Sequence, residues 1–485
     1  RPMTDIAFAP AHELAAKIRS KEIGSRELLE HYLARVETYN PALNAIIATD
    51  YDGARKAADE ADAALAKGEV SGPLHGVPMT FKESYDAVHM PTTWGLEHLA
   101  ENIPEVDSVP VARMKAAGAV VFGKTNVPVL LADWQSFNPV YGTTNNPWDL
   151  DRTPGGSSGG SAAALAAGLT GLEAGSDIGA SIRNPAHYCG VYGHKPTWGI
   201  LPPRGHAMPG TITPSDISVI GPLARSAEDL DISLDIMSGP HGLDAACWTL
   251  NLPPATQREP GDFKVAVVLE DGNVDQDTVL TDALQKAIDA LAAKGMKIVS
   301  GAKPGFDTKE AHSLYIRLLR AATSGRVNDE EMAKQHALLD ELGADDDSYI
   351  AEMARGNTML HRDWIKLNNR RNQMRETWQA LFEEVDLLLC PIASSTAFPH
   401  DQEGERIHRT IVVNNKKVPV TDQLFWAGYT GAFYLPSTVA PVGLASDGLP
   451  VGLQIVAPHG HDKRAIAFAK MMERELGGFI APKGY

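Results

Sequence analysis

The spacing of apolar positions divides this chain into alternating helical and extended stretches. Over residues 11–40 Leu28, Leu29, Tyr32, Leu33 and Val36 recur on one helical face, with Ser25 as the N-cap and Asn40-Pro41 as the stop. Residues 52–67 read as a second, alanine-rich helix ended by Gly68. The short apolar run 77–81 reads as a strand that delivers Lys82 at its end, and residues 108–117 as a helix leading into a strand at 119–122. Such alternation predicts an α/β fold: a mixed or parallel β-sheet, taken as mixed, covered by helices on both faces.

The period is lost over 126–151, where Trp134, Phe137, Tyr141 and Trp148 stand among Asn and Pro; this is a loop expected to line a site. Residues 215–225 lead to a helix starting near Ser226, and the Pro-rich stretch 252–261 is a connection. Runs at 263–269, 279–294 and 296–299 have the pattern of a βαβ unit. From about 305 to 385 the chain is charged and helical, which suggests a cover over part of the sheet. Apolar strands at 386–391 and 448–456 and a closing helix at 462–476 return to the core. No repeat or low-complexity tract divides the chain, so residues 1–485 are expected to form one domain.

Composition narrows the partners. Lys and Arg number 44 against 61 Asp and Glu, a formal charge of −17 spread along the chain. Such a surface repels nucleic acid, and none is expected as a ligand. Three cysteines, Cys189, Cys247 and Cys390, form no disulfide framework or metal-ligand spacing and point to a reducing compartment. No apolar run approaches the ~20 residues of a membrane span, and Arg1 and Pro2 read as residues ahead of an initiator Met3. A soluble cytoplasmic protein is expected, with a homodimer left open.

The chemistry concentrates in residues 153–197. Gly155, Gly156, Gly159 and Gly160 surround Ser157 and Ser158, and an alanine-rich run follows from 162 to 167. A glycine turn entering a helix leaves backbone N–H groups free for a developing negative charge. A second turn, 175–181, carries Ser181, 24 residues after Ser157 (181 − 157), a spacing that suits a serine nucleophile and a proton-handling partner. A G-x-S-x-G elbow would need a preceding apolar strand, which 146–152 is not, and a phosphate loop would need a lysine where Ser161 stands. Ser158 and Ser161 are expected to hold the loop and cap the helix, and Asp177 and Arg183 to pair with each other. His187, His194, His459 and His461 have no convergent metal spacing, so no metal is expected.

GGSSGGSAAALAAG (155–168) and GSDIGASIRNPA (175–186), with LHGVPMTFKES (74–84) upstream and CGVYGHKPTWG (189–199) downstream, resemble the amidase signature family. The signature spans about residues 73–225, and fainter resemblance covers most of the chain, implying a single large domain whose C-terminal third rejoins the core sheet. The resemblance implies a Ser-Ser-Lys triad: Ser181 the acylated nucleophile, Ser157 the bridging serine after a cis peptide, and Lys82 the base. An oxyanion hole from the backbone N–H groups of Ile178, Gly179, Ala180 and Ser181 goes with that reading. Two departures stand out: Ala180 where the family usually has glycine, and Glu83-Ser84 where aspartate is commonest after the lysine. The implied activity is cofactor-free hydrolysis of a small-molecule amide, with esters or carbamates as related substrates. The alternative is a glutaminase-type subunit of a tRNA-dependent amidotransferase.

Overall fold

A computed structural model describes residues 6–485; the expectation about Arg1, Pro2 and Met3 lies outside the described residues. Strands β1 (Ile46–Thr49), β2 (Pro78–Lys82) and β3 (Val120–Thr125) form a sheet ordered β1-β3-β2, and a short hairpin, β4 (Phe137–Asn138) and β5 (Gly142–Thr143), follows. Next come β6 (Glu173–Asp177), β7 (Tyr192–Lys195), β8 (Val219–Ala224), β9 (Lys264–Val267), β10 (Lys297–Ile298) and β11 (Leu387–Cys390). A second hairpin, β12 (Thr410–Val413) and β13 (Lys416–Pro419), precedes β14 (Ser437–Leu444) and β15 (Pro450–Val456). The larger sheet is ordered β10-β9-β11-β15-β14-β7-β8-β6. Its β10-β9-β11 edge is parallel and the remaining pairs are antiparallel, so the sheet is mixed as expected.

The two sheets join beside the site. Thr80 N donates to Leu172 O at 3.2 Å and Gly171 N to Pro78 O at 3.1 Å, which sets β2 against the segment entering β6. Strands β2, β3, β6, β8 and β15 are buried throughout. Such strands lose the two-residue alternation of a one-sided sheet and read as continuous runs. Successive residues of β11 face opposite cores: Leu387 and Leu389 join one hydrophobic cluster, Leu388 and Cys390 the other. Helices Ser25–Leu43, Thr278–Ala293 and Asp462–Leu476 cover the first face. Helices Thr308–Thr323, His361–Phe382 and Leu424–Gly431 cover the second.

Several boundaries differ from expectation. The first helical stretch is two helices, Ala11–Arg19 and Ser25–Leu43, broken where Lys21 turns left-handed at φ 61°. Gly24 is the N-cap; Ser25 opens the helix and its hydroxyl donates to Gly76 O at 2.7 Å. Pro41 does not stop that helix, because it lies in the last turn, which Asn44 closes in a left-handed conformation. Residues 175–177 belong to strand β6, so the second turn begins only at Ile178. Strands β7, β8 and β14 were not expected, being short or interrupted by Gly and Pro in the sequence.

Candidate active site

Lys82 ends β2 with its side chain fully buried, and its Nζ donates to Ser157 Oγ at 2.5 Å and to Ser176 Oγ at 2.9 Å. The Gly156-Ser157 peptide is cis. The two serine turns are stitched together by backbone: Ser158 N donates to Ser181 O at 3.1 Å. Ser181 is 5% exposed and Ser157 1%, so Ser181 is the more accessible of the two. Burial pushes the pKa of Lys82 well below its ordinary value, while Asp177 and Glu173 pull it back up.

The loop before helix Gly159–Ala166 needs its glycines. A Cβ on Gly156 would stand 2.3 Å from Asp133 O, so the residue must be glycine for loop 126–151 to close over the serines. Ser158 holds the loop as expected, its Oγ lying 3.3 Å from both the N and the O of Ser176. It does not cap the helix through its side chain; Ser136 Oγ instead accepts from Gly159 N at 3.2 Å. Ser161 bonds Thr125 Oγ1 at 3.0 Å.

The segment between β6 and helix Arg183–Cys189 is pinned from several sides. Tyr315 Oη donates to Ile178 O at 2.8 Å and Trp134 Nε1 to Gly179 O at 2.7 Å. In a trans peptide the next N–H points away from its carbonyl, so the Tyr315 bond directs the Gly179 N–H to the opposite side. The Ala180 N–H is already engaged, donating to Asp177 Oδ1 at 3.1 Å. Ala180 is left-handed, φ 72°. Asp177 and Arg183 form a fully buried bidentate pair, with Nη2–Oδ1 2.9 Å and Nε–Oδ2 3.0 Å. Burial alone would raise the Asp177 carboxylate, but the Arg183 charge and hydrogen bonds hold it below its ordinary value.

Ser176, Glu173 and Tyr315 join this constellation without having been singled out in the sequence. Ser176 had a signal, one place before Asp177 in the glycine run; Tyr315 had none, since it arrives from the helical cover. The histidines stay apart: His187 bonds Ser395 O and Gly452 N, and His194 bonds Asp462 and Thr438. Among the described residues no group of three His, Cys, Asp or Glu is arranged to hold a metal ion.

The sequence model of the Amidase family matches residues 27–466. The chain belongs to the amidase signature family. An indoleacetamide hydrolase of Bradyrhizobium diazoefficiens is 32% identical, over 96% of this chain and 86% of that protein. An acylamidase of Rhodococcus erythropolis is 32% identical, over 97% and 96%. The crystal structure of a bacterial aryl acylamidase of the amidase signature family superposes with a TM-score of 0.80 at 25% identity, covering 96% of each chain. As an amidase signature protein the chain is a hydrolase acting on amides, built on that family's single-domain α/β fold. Among the described residues no helix is long and apolar enough to cross a membrane.

Proposed function

We propose that this amidase cleaves its substrate through an acyl-enzyme on Ser181, with Ser157 and Lys82 as the proton relay and no cofactor. The observation that carries the reading is the buried Lys82 amine 2.5 Å from the Ser157 hydroxyl, at the junction of the two serine turns. A neutral amine there accepts the Ser157 proton as Ser157 takes that of Ser181, and Ser181 Oγ attacks the carbonyl carbon. The same relay, reversed, protonates the leaving nitrogen; water then repeats the cycle on the acyl ester. With the Ala180 N–H held by Asp177, the amides of Ile178, Gly179 and Ser181 are left for the oxyanion. Each such donor lowers the barrier by about 3 kcal/mol.

We infer a small-molecule amide as substrate, with esters and carbamates as lesser ones, since the acyl-enzyme chemistry is common to all three. The relatives' names, indoleacetamide hydrolase and acylamidase, support this class. Free Cys189, Cys247 and Cys390 support a cytoplasmic location. A fluorophosphonate probe is expected to add its mass to the peptide holding Ser181. Label on Ser157 or Ser158 would reverse the assignment. The purified chain alone is expected to hydrolyse simple anilides and carbamates; turnover only with added subunits would favour the glutaminase-type alternative.

A further inference from the structure

Glu173, at the start of β6, is fully buried. Its Oε2 accepts from Thr80 Oγ1 at 2.8 Å and Thr125 Oγ1 at 2.9 Å, and its Oε1 from Ala174 N at 2.9 Å. Among the described residues these partners are neutral hydroxyls and an amide, with Ser161 as a further donor; no cation pairs with it. The two threonines are those beside the base. Thr80 precedes Lys82 by two positions on β2, and Thr125 is the register partner of Lys82 on β3. A carboxylate kept out of water without a counter-ion is costly unless it serves a purpose or finds its charge balanced nearby.

We propose that Glu173 is the positioning residue of the site: it clamps the threonines that flank Lys82 and supplies the uncompensated negative charge against which the Lys82 proton is balanced. Asp177 also raises the Lys82 amine, and more strongly, but its charge is already shared with a cation, and the remaining groups nearby supply none. Asp177 is neutralised by its bidentate contact with Arg183 and lies in the field of Lys195. His206 is kept neutral by burial and by Lys82 itself. Tyr85, which also faces Glu173, stays protonated because burial raises it well above its ordinary value. Glu83 accepts from Thr93 and Trp94 and faces Lys124. Burial lifts Glu173 itself to about 7, against its hydroxyl donors, so its charge is present on the alkaline side of pH 7, where the Lys82 limb is read, and is lost below it. Without the Glu173 charge, desolvation would leave Lys82 neutral but too weakly basic to draw a proton from Ser157.

The inference rests on Lys82 being the base, and Lys82→Arg separates the two: substantial turnover by that variant sinks the base assignment, whereas a dead variant leaves Glu173 to be judged by its own data. In Glu173→Gln the ascending limb of kcat/KM against pH should move down by roughly one unit, with the plateau lowered several-fold. Glu173→Asp keeps the charge and loosens the clamp, so its plateau should fall while its midpoint stays with the parent. A merely structural role would lower activity equally at every pH; an unmoved midpoint in Glu173→Gln, or an equal shift in Glu173→Asp, overturns the proposal. If Glu173→Gln does not fold, Thr80→Val and Thr125→Val carry the test. Each removes a donor that favours the ionised carboxylate, so each should shift the midpoint down by a smaller amount, and no shift in either overturns the proposal.

Discussion

A lysine can be a base at neutral pH only where its charged form is disfavoured, and the Lys82 amine meets that condition by burial. Its folded-state pKa is depressed, so rising pH empties it of its proton at lower pH than an ordinary lysine. The rate should therefore show a single ascending limb below the usual lysine range, lost in Lys82→Ala. Lys82→Arg should be as damaging, because a guanidinium does not deprotonate in this range; robust turnover by either variant would require another base. Ser176 accepts the second Lys82 hydrogen bond, so Ser176→Ala leaves an N–H unpaired inside the protein. That should lower kcat/KM by roughly 10–100-fold with the fold intact; a change within about twofold would make the contact incidental. That the segments carrying Lys82, Ser157 and Ser181 meet was legible, because each stands in a motif of fixed spacing. Glu173 was not, because nothing local distinguishes a buried carboxylate from a surface one.

At the scale of elements, the segment after β6 is held by residues from two distant stretches, Trp134 in the loop after β3 and Tyr315 in helix Thr308–Thr323. Tyr315→Phe removes the donor to the Ile178 carbonyl and frees the following peptide to rotate. Turnover should fall about tenfold, an effect of ~1–2 kcal/mol, with KM little changed; a rise in KM alone would place Tyr315 in binding instead. Ala180 sits at φ 72°, where a Cβ costs about 1 kcal/mol relative to glycine. Ala180→Gly should thus raise Tm slightly and broaden acceptance of bulky acyl groups, an outcome that relative rates over an acyl series can check. Strands β2, β3, β9, β11 and β15 and helix Asp462–Leu476 were legible from apolar runs and helical spacing. Strand β14, PVGL within STVAPVGL, was not, because Pro441 and Gly443 look like a turn until β15 supplies the partner across which the register shifts.

At the scale of the molecule, the alternation of apolar runs with helical stretches made the fold class readable, because a sheet buried on both faces needs continuous apolar strands and a helical cover. The join of the two sheets through residues 171 and 172 was not readable, since it depends on long-range pairing. The same burial places three lysines inside an otherwise acidic protein. Besides Lys82, burial lowers Lys124 to about 8 and Lys195 to about 7, from an ordinary 10.5. A depressed folded pKa means that the unfolded chain binds more protons through the window up to 10.5, so stability is lost as pH falls towards the folded values and gained as it rises. His12, raised by its bond to Asp229, and Glu173, raised by burial to about 7, work the other way near the start of this window, as two groups against three. Beyond pH 9 the buried cysteines oppose the lysines: Cys390 is pushed up to about 12 and Cys189 higher still, so the unfolded chain loses those protons first. Thermal unfolding followed from pH 7 to 11 should therefore show Tm rising to about pH 9 and then levelling or falling. Each lysine contributes at most about 1.4 kcal/mol per pH unit. Lys124→Met should flatten the rise without moving the kcat/KM limb, since Lys124 bonds Glu83 O, Pro91 O and Thr92 Oγ1 and not the serines. A Tm that stays level or falls between pH 7 and 9 would show that these lysines are charged in the folded protein, and Lys82 would then lose its claim to be a neutral base.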